Sequence, residues 1–146
     1  MNRTIQILHS VFVIKKAYDA MWDEIQEKYS LTRAEIDVIA FLSNNPDCDT
    51  ASSIVEFRKI AKSHVSKAVD SLMERNWITR AQDQKDRRCI HLKLTDEAEC
   101  AAHEILARQR EFSGAIREGI TEEELAVYAQ MIEKITENAR KMTEES

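Results

Sequence analysis

Two short segments concentrate the side chains that could do chemistry. Lys62-Ser63-His64-Val65-Ser66-Lys67 alternates hydroxyls, an imidazole and ammonium groups, and Lys85-Asp86-Arg87-Arg88 follows it farther along the chain. Neither is built for catalysis: the sequence has no Gly-rich phosphate loop, no nucleophile motif and no dense His/carboxylate cluster. Both suit a polyanion. Ser63, His64 and Ser66 are short enough to reach base edges, and Lys62 and Lys67 can reach phosphates or guanine. Asp86, two residues before Arg88, can hold that guanidinium by a charge-assisted bond and stiffen it for a narrow minor groove, while Lys85 and Arg87 serve phosphates. From Arg58 to Lys93, ten Lys/Arg stand against four acids, a local balance of +6. The whole chain carries −5, so the remainder sums to −11. An acidic protein with one basic element has its positive charge placed for nucleic acid rather than spread for non-specific coating.

The elements needed to position these groups follow from periodicity. Val65, Ala68, Val69, Leu72 and Met73 give a helix over Ala61–Arg75 its inner face, which leaves the Ser, His and Lys side chains of its first two turns outward. Asn76 suits the left-handed position just past a helix end. A strand is expected from Trp77 to Arg80 and a second, alternating strand from Cys89 to Leu94, with the polar turn between them. A helix followed by a two-stranded ribbon with arginines at its tip is the layout of a winged helix-turn-helix. Upstream, Thr32-x-x-Glu35 is a capping box opening a helix from Arg33 to Leu42. Asp49 or Thr50 can cap a short helix ending near Phe57.

Long helices are expected on both sides. Ile7/Leu8, Val11/Phe12, Ile14, Tyr18, Met21/Trp22, Ile25 and Tyr29 recur at three- and four-residue steps, which reads as one helix of roughly 25 residues. Thr95 opens another, and a second capping box, Thr121-x-x-Glu124, begins the last. Its apolar positions Leu125, Tyr128, Ile132, Ile135, Ala139 and Met142 make a heptad-like seam. These stripes exceed what a small module can cover, so they are expected to knit two chains into a homodimer. The organisation expected is thus a mainly α protein: an N-terminal dimerisation helix over 1–30, a winged unit over 31–95 with a small β-hairpin wing, and C-terminal dimerisation helices over 96–146.

Other chemistry is weakly supported. Two glycines and one proline agree with long helices and short connections. No apolar run approaches the ~20 residues that span a bilayer, and the first residues lack a signal-peptide pattern, so no membrane partner and a cytoplasmic location are expected. Cys48, Cys89 and Cys100 form no disulfide framework or CxxC pattern. Cys100, His103 and Glu104 are too few to argue for a metal, and no cofactor is expected. Cys89, beside Arg87 and Arg88, is the one candidate for a reactive thiol.

Leu31-Thr32, Ser63-His-Val-Ser-Lys-Ala-Val-Asp-Ser-Leu-Met-Glu-Arg75, Trp77-Ile78, Asp83-x-x-Asp86-Arg87-Arg88 and Leu92-x-Leu94-Thr95 together resemble the MarR family of bacterial transcription regulators. The resemblance covers nearly the whole chain, and the Asp-Arg-Arg wing followed by Leu-Thr is its most specific part. It implies a homodimeric winged-helix regulator without enzyme activity. Such a regulator is usually a repressor, released from its double-stranded operator by a small ligand or by oxidation, and a two-fold dimer would make that operator near-palindromic. It also implies an effector cleft between the dimer helices and the winged unit, for which Phe12, Tyr18, Trp22, Phe41 and Phe57 are the candidate lining and an aromatic or amphipathic molecule the candidate ligand. The alternative is a winged-helix module that now binds protein instead of DNA. The chain departs from the family in having Ala61 where Ser or Thr commonly caps the recognition helix, and Gln84 where the wing often has proline. Asn76 and Ala98 stand where glycines are usual.

Overall fold

The computed structural model describes residues 2–144. Among them the elements run α1 (Arg3–Ala20), α2 (Asp23–Tyr29), α3 (Arg33–Asn44), α4 (Ala51–Arg58), α5 (Lys62–Glu74), β1 (Ile78–Gln82), β2 (Ile90–Leu94), α6 (Glu99–Ile116) and α7 (Glu122–Glu144). A single 3-10 turn, Asp96–Ala98, leads into α6. The chain is thus mainly helical with one antiparallel hairpin, the winged helix-turn-helix expected. It divides into two compact units, one ending at Phe112 and the other beginning at Ser113. No described helix is long and apolar enough to cross a membrane.

The first unit is built around α3. Ile36, Val38 and Ile39 are fully enclosed, together with Trp22 between α1 and α2, Ile25 of α2, Ile54 of α4, Val65, Val69 and Leu72 of α5, and Ile105 of α6. In α5 the buried positions Val65, Ala68, Val69 and Leu72 fall at steps of three and one, the stripe of a helix packed on one side. The hairpin lies beside this core. Ile78 pairs with Leu94, Arg80 with Leu92 and Ala81 with His91, and Ile78 and Leu92 supply its buried contacts.

One expectation fails. The N-terminal helix is not continuous: it breaks at Met21–Trp22, and α1 and α2 are separate. No glycine or proline marks the break. Its physical reason is packing, since Trp22 is completely enclosed in the core whereas α1 buries none of its residues. The Tyr18 ring meets Trp22 edge-on at 5.8 Å and Phe112 at 5.2 Å, and the Arg33 guanidinium lies over both Tyr18 and Trp22. Strands also shift slightly, with β1 starting at Ile78 and running on to Gln82.

Two acids, Glu35 and Asp37, are buried on α3. Glu35 accepts from Thr32 Oγ1 at 3.2 Å and Ser71 Oγ at 3.3 Å. Asp37 takes Arg33 Nε at 3.3 Å and Arg58 Nη2 at 2.9 Å, which compensates the cost of desolvating it. Arg33 also reaches Asp19 at 3.0 Å, so one ion network ties α1, α3 and α4 together.

Candidate nucleic-acid interface

The interface residues stand on elements whose ends are well defined. Thr50, extended at φ −108° and ψ 154°, accepts the Ser53 N–H at 3.1 Å and starts α4. Lys59 takes the left-handed conformation at φ 54° and turns the chain toward α5. Ala61 sits at the start of α5 with no side chain to cap it. Lys62, Ser63, His64, Ser66 and Lys67 are all exposed on the face opposite Val65, Ala68 and Val69. At the far end Asn76 is left-handed at φ 60°, as expected of its position, and its carbonyl accepts from Thr95 Oγ1 at 2.6 Å.

The wing is held by a small set of bonds. Arg80 reaches back to Asp70 of α5 at 2.9 Å, fixing β1 against the helix. At the tip, Asp83 Oδ2 accepts the N–H groups of Lys85 and Asp86 at 2.9 and 2.8 Å, closing the turn without the proline often found there. Asp86 Oδ1 accepts both the Arg88 N–H at 3.0 Å and Arg88 Nε at 3.3 Å, the pairing expected from their spacing. The Arg88 side chain is otherwise open, at 93% exposure. Lys85 and Arg87 are exposed beside it.

Helix α5 and the wing are linked through the first turn of α4. One shallow cleft of about 230 Å³ is lined by Ala51, Ser52 and Val55 of α4 with Lys62 and Ser66 of α5. A second, of about 410 Å³, is lined by Thr50, Ala51 and Ser52 with Asp86, Arg88 and Cys89. Ala51 and Ser52 therefore border both the lysine-bearing helix start and the wing arginine, which places the two candidate segments on either side of one short helix.

At Cys89, the reactive-thiol candidate, carboxylates act on the sulfur as well as the adjoining arginines. Burial pushes it up from its ordinary value, and the carboxylates of Asp83, Asp86 and Asp49 push it further. That is the reverse of what the adjoining arginines suggest, because those carboxylates outweigh the arginines at the sulfur. The five aromatic candidates do not gather in one place. Phe41 is core and stacks with the exposed Phe57 at 6.3 Å; Trp22 is core and meets Tyr18; Phe12 is exposed on α1. His91, which sequence pattern leaves as an ordinary strand residue, instead lies between two carboxylates, Asp49 and Asp83. Nothing in the local sequence marks the pairing with Asp49, since that partner stands 42 residues away.

The sequence profile of the MarR family matches residues 29–88, the stretch from the end of α2 to the wing tip. The HTH-type transcriptional repressor MdtR of Bacillus subtilis is 33% identical over 116 residues, 80% of this chain and 74% of that protein. The chain belongs to the MarR family. Like the other MarR-family proteins it resembles, it is a transcription regulator and not an enzyme. A MarR-family regulator from Silicibacter pomeroyi superposes with a TM-score of 0.76 at 20% identity, covering 90% of this chain and 88% of the other. The BpsR protein of Bordetella bronchiseptica, described with 6-hydroxynicotinic acid as a regulator of its DNA binding, superposes at 0.67 with 18% identity over 90% and 98% of the two chains. These two likenesses show the MarR fold. The profile match ends at Arg88, so Asp86-Arg87-Arg88 falls within it and the Leu94-Thr95 that follows lies beyond it.

Proposed function

We propose that this MarR-family regulator binds a near-palindromic double-stranded DNA operator as a homodimer, represses transcription in the cytoplasm, and is released by a small aromatic or amphipathic molecule. The observation that carries this reading is the pairing of an outward polar and basic α5 face with an Asp86-braced Arg88 across the first turn of α4. In this reading α5 enters the major groove, with Ser63, His64 and Ser66 toward base edges and Lys62 and Lys67 toward phosphates. Arg88 enters the adjacent minor groove while Lys85 and Arg87 hold the backbone. The dimer is supported by apolar side chains left open on α1 (Leu8, Val11 and Phe12 at 66%, 52% and 64% exposure) and on α7 (Val127, Tyr128 and Met131). On that basis residues 1–30 and 96–146 serve assembly and 31–95 serve DNA. Repression follows the naming of MdtR, and an aromatic effector follows the case of BpsR. The raised Cys89 thiol favours a ligand over oxidation as the signal.

Fluorescence anisotropy with duplexes tiling the upstream region of its own gene, repeated across a salt series, tests the reading. Four basic side chains per protomer on phosphates (Lys62, Lys67, Lys85 and Arg87) give a log–log salt slope of about −7 for the dimer. Tight binding to one near-palindromic tile with such a slope is the expected result. Absence of binding to any duplex at low salt would overturn it and favour a protein-binding winged module.

A further inference from the structure

His91 is the one β2 side chain whose two ring nitrogens face different segments of the fold. Nδ1 lies 2.6 Å from Asp49 Oδ1 in the α3–α4 connection, and Nε2 lies 2.9 Å from Asp83 Oδ1 at the start of the wing's tip turn. Asp83 passes the link onward, because its second oxygen accepts the Lys85 and Asp86 N–H groups of the tip. Asp49 holds β2 a second time, its carbonyl accepting the Leu92 N–H at 2.7 Å. A continuous set of hydrogen bonds therefore runs from the helical body through one imidazole to the residues that carry Lys85, Asp86 and Arg88.

The chemistry of this bridge is set by proton count. A neutral imidazole donates from one nitrogen and presents a lone pair at the other. Both nitrogens here face carboxylate oxygens, which accept only, so a neutral ring satisfies one side and repels the other. The imidazolium satisfies both. Other ionisable groups around the ring are few: Cys89 stands just before β2, Asp86 and Arg88 pair with each other at the tip, and Lys93 follows His91 on the strand. Opposite it on β1 is Ala81, which carries no charge.

We propose that protonated His91 is the positioning residue of the wing, clamping its tip to the α3–α4 connection, and that loss of the proton frees the wing while the fold persists. The bearing on operator affinity rests on the reading above that the wing grips DNA; the clamp itself does not. His91 is raised from its ordinary value by its bonds to Asp49 and then Asp83. Asp83 is held down at about 2, first by His91 and then by the N–H groups of Asp86 and Lys85. The sign follows for each group. A raised histidine contributes fully below its unfolded value of about 6.5 and loses its contribution as pH rises through the higher folded value. The depressed Asp83 contributes above 3.8 and loses its contribution as pH falls toward about 2. The wing is therefore clamped in the window between them and loosens on the alkaline side.

Side-chain carbon–proton NMR of the full-length protein, with His91→Gln to assign the resonance, gives the first readout. The His91 midpoint is expected above about 6.5 and should fall in both Asp49→Asn and Asp83→Asn. Amide exchange at Lys85 and Asp86 gives the second. In the parent protein it should accelerate relative to His91→Gln as His91 deprotonates, and in His91→Gln the tip should be loose throughout. Operator affinity, measured from pH 6 to 9 at fixed ionic strength, is expected to fall about tenfold along the His91 titration, and His91→Gln to start low and stay flat. A midpoint at or below the ordinary histidine value, or identical pH profiles in parent and variant, would overturn the proposal. Should the parent bind no duplex at any pH, the DNA reading fails while the titration and the exchange data still decide the clamp. Unchanged far-UV circular dichroism in Asp49→Asn keeps an unfolded variant from imitating the result.

Discussion

Replacing Ala61 with serine should stabilise the helix turn that carries Lys62, Ser63 and His64. Ala61 holds φ −56° and ψ 136°, the extended backbone of a helix N-cap, but supplies no acceptor for the free N–H groups of the first turn. Three threonines in the same setting do. Thr32 accepts the Glu35 N–H at 3.2 Å, Thr50 accepts that of Ser53 at 3.1 Å, and Thr121 accepts that of Glu124 at 3.2 Å. The corresponding N–H in α5 belongs to His64, and it bends back to the Ala61 carbonyl at 3.0 Å. Exchanging Ser or Thr for Ala at such positions costs about 1 kcal/mol within a range of 0.5–2. Because His64 already has a partial substitute, the gain from serine belongs near the lower end, about 0.5–1 kcal/mol. In a chain of this size that is roughly 2 °C in the thermal midpoint. Urea unfolding at one fixed protein concentration is the assay, since association moves the midpoint with concentration. The midpoint should rise with an unchanged denaturant slope. A midpoint that stays or falls would refute the capping argument, since Ala61 is exposed and no packing clash can offset the gain.

Arg88→Ala should weaken operator binding by about tenfold or more while the unfolding transition stays where it is, because the side chain is 93% exposed; equal affinity would exclude it from the groove. Arg87→Ala should instead reduce the salt slope by about 2 in the dimer and weaken all sequences alike, which a salt series on specific and random duplexes reads directly. Leu72→Ala removes a fully enclosed side chain from the inner face of α5, so chemical denaturation should show a loss of about 2–5 kcal/mol. Deleting the chain from Thr121 onward should impair dimerisation and DNA binding together; a truncated protein still dimeric by sedimentation would remove α7 from the assembly.

Local rules carried the reading of this sequence a long way. Thr50 and the Thr121–Glu124 box cap their helices, Asn76 is left-handed, and Asp86 holds Arg88, each a relation between residues no more than a few positions apart. The Thr32 box is only half formed, because Glu35 turns inward to Ser71 of α5 instead of back to the Thr32 N–H. What stayed hidden depends on distant partners. Asp37 looks like a surface charge until Arg58 arrives from α4, and His91 looks like an ordinary strand residue until Asp49 arrives from the α3–α4 connection. The break at Met21–Trp22 was hidden for the opposite reason. Its three- and four-residue periodicity is continuous, and only the core decides that Trp22 turns inward.

That break has a consequence for how the molecule can change. An unbroken helix would phase every apolar position from Ile5 to Tyr29 together, so a substitution altering one contact would rotate its constraints onto the rest. With the chain interrupted, α2 commits Ile25 to the interior while α1 buries nothing within its own chain. Residues such as Leu8 and Phe12 are thereby released from the folding problem. Substitutions at these exposed positions can accumulate, specialise or be designed without renegotiating the core that holds α5 in place.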